Sequence, residues 1–196
     1  MGLWGATDAD ESKHKWMTTA QKKEVLATTA GWVVEAGSTM TGNDNTSSTP
    51  EVLGAAGGLT TSLGAATITG AEWITTTADK SDGFTLSIRV RYNEAVDVAV
   101  SNPTIAVTNG NQGSGSGRGP HTLTYASGTG SNELVFSLAI AAANAATNAD
   151  DVLSIAAQNI TLASSSTIKD AGTATNSEVA ISSAQGTACG TITVTA

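Results

Sequence analysis

Apolar and polar residues alternate with a period of two over two long stretches of this chain. Phe84, Leu86, Ile88 and Val90 fall on one face of residues 84–91, and Thr85, Ser87, Arg89 and Arg91 on the other. Leu134, Phe136, Leu138 and Ile140 repeat the pattern over residues 133–140. Successive side chains of extended backbone point to opposite sides, so each stretch predicts a half-buried strand. Residues 73–77, 96–100, 104–108, 122–125, 152–155, 159–162, 166–168, 178–181 and 191–194 read as shorter strands, with a turn at 79–83. Strands recurring every roughly 8–12 residues, with no helical pattern between them, predict an antiparallel β-sandwich and exclude a βαβ fold. Residues 109–119, in which Gly nearly alternates with polar residues, predict an exposed loop rather than a strand.

The first 35 residues follow another pattern. Residues 18–27 predict a short helix, with Thr18 as N-cap and Gln21 three positions on completing a capping box. Residues 30–35 predict a strand after the break at Gly31, and 36–50 a polar linker. Residues 51–69 carry a weak apolar pattern interrupted by glycine, enough for one or two short strands. The chain therefore divides into an N-terminal anchoring segment with its linker, residues 1–70, and a sandwich domain, residues 71–196. The overall expectation is a mainly β protein with one short N-terminal helix.

Composition sharpens this division. The first 35 residues hold three of the four tryptophans, Trp4, Trp16 and Trp32, and four of the nine basic residues, Lys13, Lys15, Lys22 and Lys23. So short a segment has too little apolar bulk to fold alone. Its indoles must pack on the chain's own sandwich or dock on another subunit, and the enrichment of Trp among interface anchors favours docking. Trp4, Trp16, Trp32, Lys13 and Lys15 are the candidate partner-binding residues. Removing residues 1–35 is expected to leave a folded domain unable to assemble.

Charge and chemistry exclude several classes. A net charge of −8 and nine scattered basic residues argue against a nucleic-acid partner, because phosphate binding rests on clustered Lys and Arg. No run approaches the roughly 20 apolar residues of a membrane span. The N-terminus lacks the basic and apolar regions of a secretory signal, and Ala6 stands where a myristoylation motif needs Ser or Thr. One cysteine, Cys189, permits no internal disulfide and reads as a small buried or half-buried thiol in the last strand. His14 and His121 lie in different parts, and His121, beside Pro120 and the Gly-rich loop, reads as a surface residue. No Gly-x-Ser-x-Gly elbow or phosphate loop occurs. Asp79 with Asp82, and Asp150-Asp151 after Asn144 and Asn148, could offer oxygens to calcium. Neither has the alternating acidic pattern of a calcium loop, and Asx residues build turns without metal. The expectation is no enzyme, no catalytic residue, no metal and no cofactor.

Four motifs in order give residues 84–180 a resemblance to an immunoglobulin-like module of large bacterial surface proteins, cyanobacterial motility and adhesion proteins among them. They are Arg91-Tyr92-Asn93-Glu94-Ala95-Val96, Tyr125-Ala126-Ser127-Gly128-Thr129-Gly130, Leu134-Val135-Phe136 and Thr167-Ile168-Lys169-Asp170-Ala171-Gly172-Thr173-Ala174. The chain departs from that family in its expanded Gly-rich loop at 109–119 and in a poor acidic loop near Asp150. The opening is similar to small virion structural proteins of tailed cyanobacterial phages, through residues 4–13, Ala30-Gly31-Trp32-Val33 and Glu51-Val52-Leu53. Together the resemblances imply a capsid decoration protein, docked on the major capsid protein or another virion protein and displaying an Ig-like β-sandwich. A tail, neck or fibre component, or an adhesin for host-surface glycans, is the alternative. They also imply a virion location after assembly in the host cytoplasm.

Overall fold

A computed structural model describes residues 17–38, 40, 51–100, 102–111, 120–144, 146–163 and 165–196. The protein is mainly β, as the alternation predicts. One strand, β6 (Phe84–Ala99), organises the rest. Its first half pairs antiparallel with β4 (Ile68–Trp73) on one side and β9 (Ser131–Ile140) on the other. Its second half pairs antiparallel with β12 (Thr167–Asp170). The two separate strands expected at 84–91 and 96–100 are thus one, because Tyr92, Asn93 and Glu94 stay extended.

From β9 the path runs through β8 (His121–Ser127), β7 (Thr104–Asn111), β10 (Asp151–Ser154) and β14 (Thr191–Thr195) to β5 (Ala78–Asp79). β7 changes partner midway: residues 104–107 pair with β8 and residues 108–111 with β10. β7 therefore extends into the stretch expected to be loop, since Asn109 and Gly110 pair with Leu153 and Val152. A separate ladder joins β11 (Gln158–Asn159) to β13 (Ala180–Ile181).

The inward residues of both long strands share one core. Leu86, Ile88, Val90, Leu134 and Phe136 are fully buried in the same cluster as Ile105, Leu123, Leu153 and Val194. Side chains from both ends of the path can share a dry interior only if the sheet folds over into two facing layers, the layering of a sandwich. Tyr125 meets Phe136 edge-on, with ring centroids 6.1 Å apart.

The N-terminal part builds a smaller core of its own. α1 (Thr19–Lys23) carries the expected capping box, with Thr18 and Gln21 each satisfying the other's backbone N–H. It ends at Lys23 rather than at residue 27, and Val25 opens β1 (Val25–Thr28). The β-branched Val25 gains more as the partner of Val34 in β2 (Gly31–Val34) than as a further helical turn. Gly31, at φ +134°, closes this hairpin where an added Cβ would stand 2.0 Å from the Gly54 carbonyl oxygen of β3 (Glu51–Ala55). Met17, Val25, Ala27, Trp32, Val34 and Met40 cluster with Leu59 of α2 (Leu59–Leu63). Ala27 pairs in parallel with Glu94, which joins this unit to the sandwich.

Three further expectations change. Trp73 ends a strand rather than beginning one, and that strand starts at Ile68, ahead of residue 71. Residues 183–189 form a helix, α3 (Ser183–Cys189), capped by Ser182 and Gln185. It lies so close to the sheet that an added Cβ at Gly186 would meet the Ile155 carbonyl oxygen at 2.5 Å. Cys189 consequently sits at a helix end, half-buried, not in the last strand, and burial pushes its thiol up to about 11.

Candidate functional site

The joint between the two cores holds the densest chemistry among the described residues. The alternation that sends Ile88 and Val90 into the sandwich turns Arg89 and Arg91 the other way. Glu72 of β4 stands opposite Arg89, and Glu133 of β9 opposite Arg91. The Arg91 Nε lies 2.8 Å from Glu133 Oε1 and 3.7 Å from Glu72 Oε2, with Nη1 3.8 Å from Glu35 Oε2. Nη1 also donates to the Lys23 carbonyl at 3.3 Å. Arg89 Nε approaches Glu72 Oε2 at 3.3 Å, and Lys23 Nζ approaches Glu72 Oε1 at 3.4 Å. Lys23 and Glu35 come from the N-terminal unit and the other four groups from the sandwich. The cluster works as a fastener. Arg91 is only 6% exposed because the unit lies over it.

Burial shows in the titration of this cluster. Desolvation raises the Glu35 carboxyl above its ordinary value, against the opposing pull of the Asn132 amide and Arg91. A groove of about 350 Å³ runs beside it, lined by Leu26, Glu35, Ala95, Ser131, Asn132 and Glu133. Its polar groups are engaged in holding the joint. It presents no nucleophile with an adjacent base.

A second buried charge lies three residues along β6. Glu94 is 0% exposed and Asp170, on β12, is 1% exposed. Both oxygens of Glu94 and Oδ1 of Asp170 are buried without a hydrogen-bond donor among the described residues. Burial, with Asp170 adding repulsion, pushes the Glu94 carboxyl up to about 7. The other Asp170 oxygen accepts from the Thr173 hydroxyl at 2.5 Å.

A third polar cluster corrects an expectation. His121 is 4% exposed, not a surface residue. Its Nε2 lies 3.0 Å from Thr147 Oγ1 and 3.3 Å from Asn109 Nδ2. Burial lowers its pKa while the Asp151 carboxylate opposes that shift. Hydroxyl, imidazole and carboxylate are the residue types of a nucleophile triad. However, the Thr147 hydroxyl belongs to a fully buried residue that no substrate reaches. The cluster instead pairs buried polar groups where β7, β8 and β10 meet, with Asn109 Oδ1 and Asp151 Oδ1 left without a hydrogen-bond partner among the described residues.

Of the predicted partner-binding residues, Trp4, Lys13, Lys15 and Trp16 lie outside the described residues, as does His14. Trp32 is 4% exposed and packs in the N-terminal core. In this structure its indole is turned into the chain's own fold rather than presented for docking. At the calcium-candidate loops, Asp79 Oδ1 accepts from the Ser81 N–H and hydroxyl, which holds its carboxyl below the usual range. Asp151 is fully buried and accepts from the Asn148 N–H at 2.7 Å, while Asp150 is exposed. Among the described residues no three of His, Cys, Asp and Glu gather as a metal-binding group. No described helix is long and apolar enough to cross a membrane.

Sequence reasoning missed Glu94 and Asp170. The signal was present, since counting by twos from Leu86 reaches Glu94 as an inward position of β6. No protein-family model, curated protein or solved structure matches the chain.

Proposed function

We propose that the chain is a non-enzymatic virion structural protein, a capsid decoration protein that docks through its N-terminal part and displays an immunoglobulin-like sandwich. The observation that carries this reading is the fastened joint. Lys23 and Glu35 bind the N-terminal unit to Arg91, Glu72 and the sandwich, so that whatever holds one part holds the other. The resemblance of the opening residues to phage virion proteins supports the same reading. Its partner is the major capsid protein or another virion protein. Tyr92 is fully buried and Tyr125 packs edge-on against Phe136, so neither tyrosine ring lies open as a glycan platform.

The docking residues in this reading are Trp4, Lys13, Lys15 and Trp16, all ahead of Met17. Truncation after residue 35 would remove β1 and β2 and strip Glu35 from Arg91, so the informative cut is after residue 16. Purified particles of the encoding virus should carry on the order of hundreds of copies, as a symmetric shell requires. The chain lacking residues 1–16 should fold with an unchanged melting profile yet fail to join particles. Tens of copies or fewer would move the chain to the tail or a fibre. Its absence from particles would end the virion reading.

A further inference from the structure

We infer that Glu94 and Asp170 are the two anionic ligands of a buried divalent-cation site, of the calcium type, at the joint where β1 meets β6. The inference does not depend on the virion reading. It starts from three carboxylate oxygens, both of Glu94 and Oδ1 of Asp170, that are buried without a donor among the described residues. Bulk solvent does not touch them, for the two residues are 0% and 1% exposed. A carboxylate removed from water needs donors, a counter-charge or a proton. The cations nearest along β6 do not serve, because Arg89 and Arg91 are engaged with Glu35, Glu72 and Glu133.

The ladder puts the two carboxylates within reach of one ion. Asp170 is the antiparallel partner of Val96, and the Ala171 N–H donates to the Ala95 carbonyl at 3.0 Å, which continues the same register. Glu94 is two residues from Val96, so it stands on the same face as Asp170 at a diagonal position. Diagonal neighbours of an antiparallel pair are about 7–8 Å apart. Side chains of this length can close that gap on a single ion with oxygen distances of roughly 2.3–2.6 Å. Two carboxylates also match the charge of one divalent ion.

An all-oxygen site favours a hard cation over a transition metal. Within that class calcium fits better than magnesium, which keeps several waters and demands octahedral geometry, whereas these carboxylates are closed off from bulk solvent. Bound there, the ion would brace β6 against β12 directly beneath the Ala27–Glu94 pairing that carries the N-terminal unit.

The test uses the full chain, stripped with EDTA and then titrated with calcium chloride at neutral pH. The melting temperature should rise by about 5–10 °C once calcium exceeds its dissociation constant a hundredfold. Glu94→Gln and Asp170→Asn should each abolish the rise, while Asp79→Asn keeps it. Terbium emission sensitised by Tyr92, two residues from Glu94, should appear in the unmutated chain and be displaced by calcium. This second measurement decides the matter if neither variant folds. Superimposable melts with EDTA and with millimolar calcium would overturn the inference. So would a calcium response that survives Glu94→Gln, or one lost in Asp79→Asn. Stabilisation by acid alone, with calcium adding nothing, would mean that the pair shares a proton instead.

Discussion

Arg91 and Glu94 are buried charges three residues apart on one strand, and their surroundings are opposite. Arg91 has the carboxylates of Glu133, Glu72 and Glu35 within 3.8 Å. Glu94 has no donor among the described residues, and its charged neighbour, Asp170, repels it. The difference follows from strand parity and from who covers each side. Odd positions of β6 face outward, where β4, β9 and the N-terminal unit each bring a carboxylate. Even positions face the interior with Ile88 and Val90, where no positive charge lies among the described residues. Burial alone therefore does not decide whether a charge stabilises; its cross-strand neighbours do.

The largest effect should come from breaking the paired side. Arg91→Met keeps the aliphatic stem and removes the guanidinium, leaving three carboxylates close together without their shared cation. Loss of one partner of a buried ion pair costs about 3–5 kcal/mol. The partly solvated Glu72 and Glu133 place the expected loss near the lower end, about 3 kcal/mol, read as a shift in urea midpoint at constant slope. A loss below about 1 kcal/mol would show that the cluster is a surface network after all.

The unpaired side should respond with the opposite sign. In EDTA above neutral pH, Glu94→Gln removes a desolvated charge and should stabilise the protein by about 2 kcal/mol. Its pH dependence follows from the folded carboxyl titrating at about 7 against an ordinary 4.5. The folded state then holds the proton more tightly than the unfolded one. The contribution of Glu94 to stability is complete below pH 4.5 and is lost as pH rises through about 7. The gap between wild type and Glu94→Gln should open over that window and stay constant above it. A gap independent of pH would remove the buried carboxylate as its cause. His121 works in reverse: its lowered pKa favours the neutral ring, so its contribution is present above its ordinary value of 6.5 and falls away on acidification.

The smallest effect should lie at the rim of the fastener. Lys23 and Glu72 are each a fifth to a third exposed, 21% and 31%. Lys23→Met should cost about 0.5 kcal/mol and become neutral in high salt, measured by the same unfolding curves. A loss as large as that of Arg91→Met would merge rim and centre into one unit.

How much of this was legible depended on whether neighbours in sequence or neighbours in space made the decision. The 84–91 part of β6 and the 133–140 part of β9 could be read because their inner faces are apolar at every second residue. The Thr18–Gln21 capping box could be read because it is complete within one turn. The end of α1 could not, since Glu24-Val25-Leu26-Ala27 continues a helix locally and only pairing with β2 makes it a strand. α3 was hidden by Gly186, a poor helix residue that packing against Ile155 requires. At the joint, Tyr92-Asn93-Glu94 looked like a break between strands because two of the three are polar. They stay extended because the N-terminal unit and β12 bury both faces. The paired and unpaired charges were thus invisible singly. They gain meaning only from strands that arrive from residues 25–35, 72, 133 and 170.

The unbroken length of β6 also has a mechanical consequence. Tension applied to the N-terminal unit reaches the sandwich by two routes, the chain of residues 64–67 that enters β4 and the Ala27–Glu94 pairing on β6, which is itself laced to β4, β9 and β12. The link at residues 64–67 is short and is tied to β6, since the Thr67 N–H donates to Asn93 Oδ1 at 2.7 Å and its carbonyl accepts from the Asn93 N–H at 3.0 Å. Pulling on one end should therefore strain many ladder hydrogen bonds at once, and the molecule should yield in one abrupt event rather than by peeling apart at a linker.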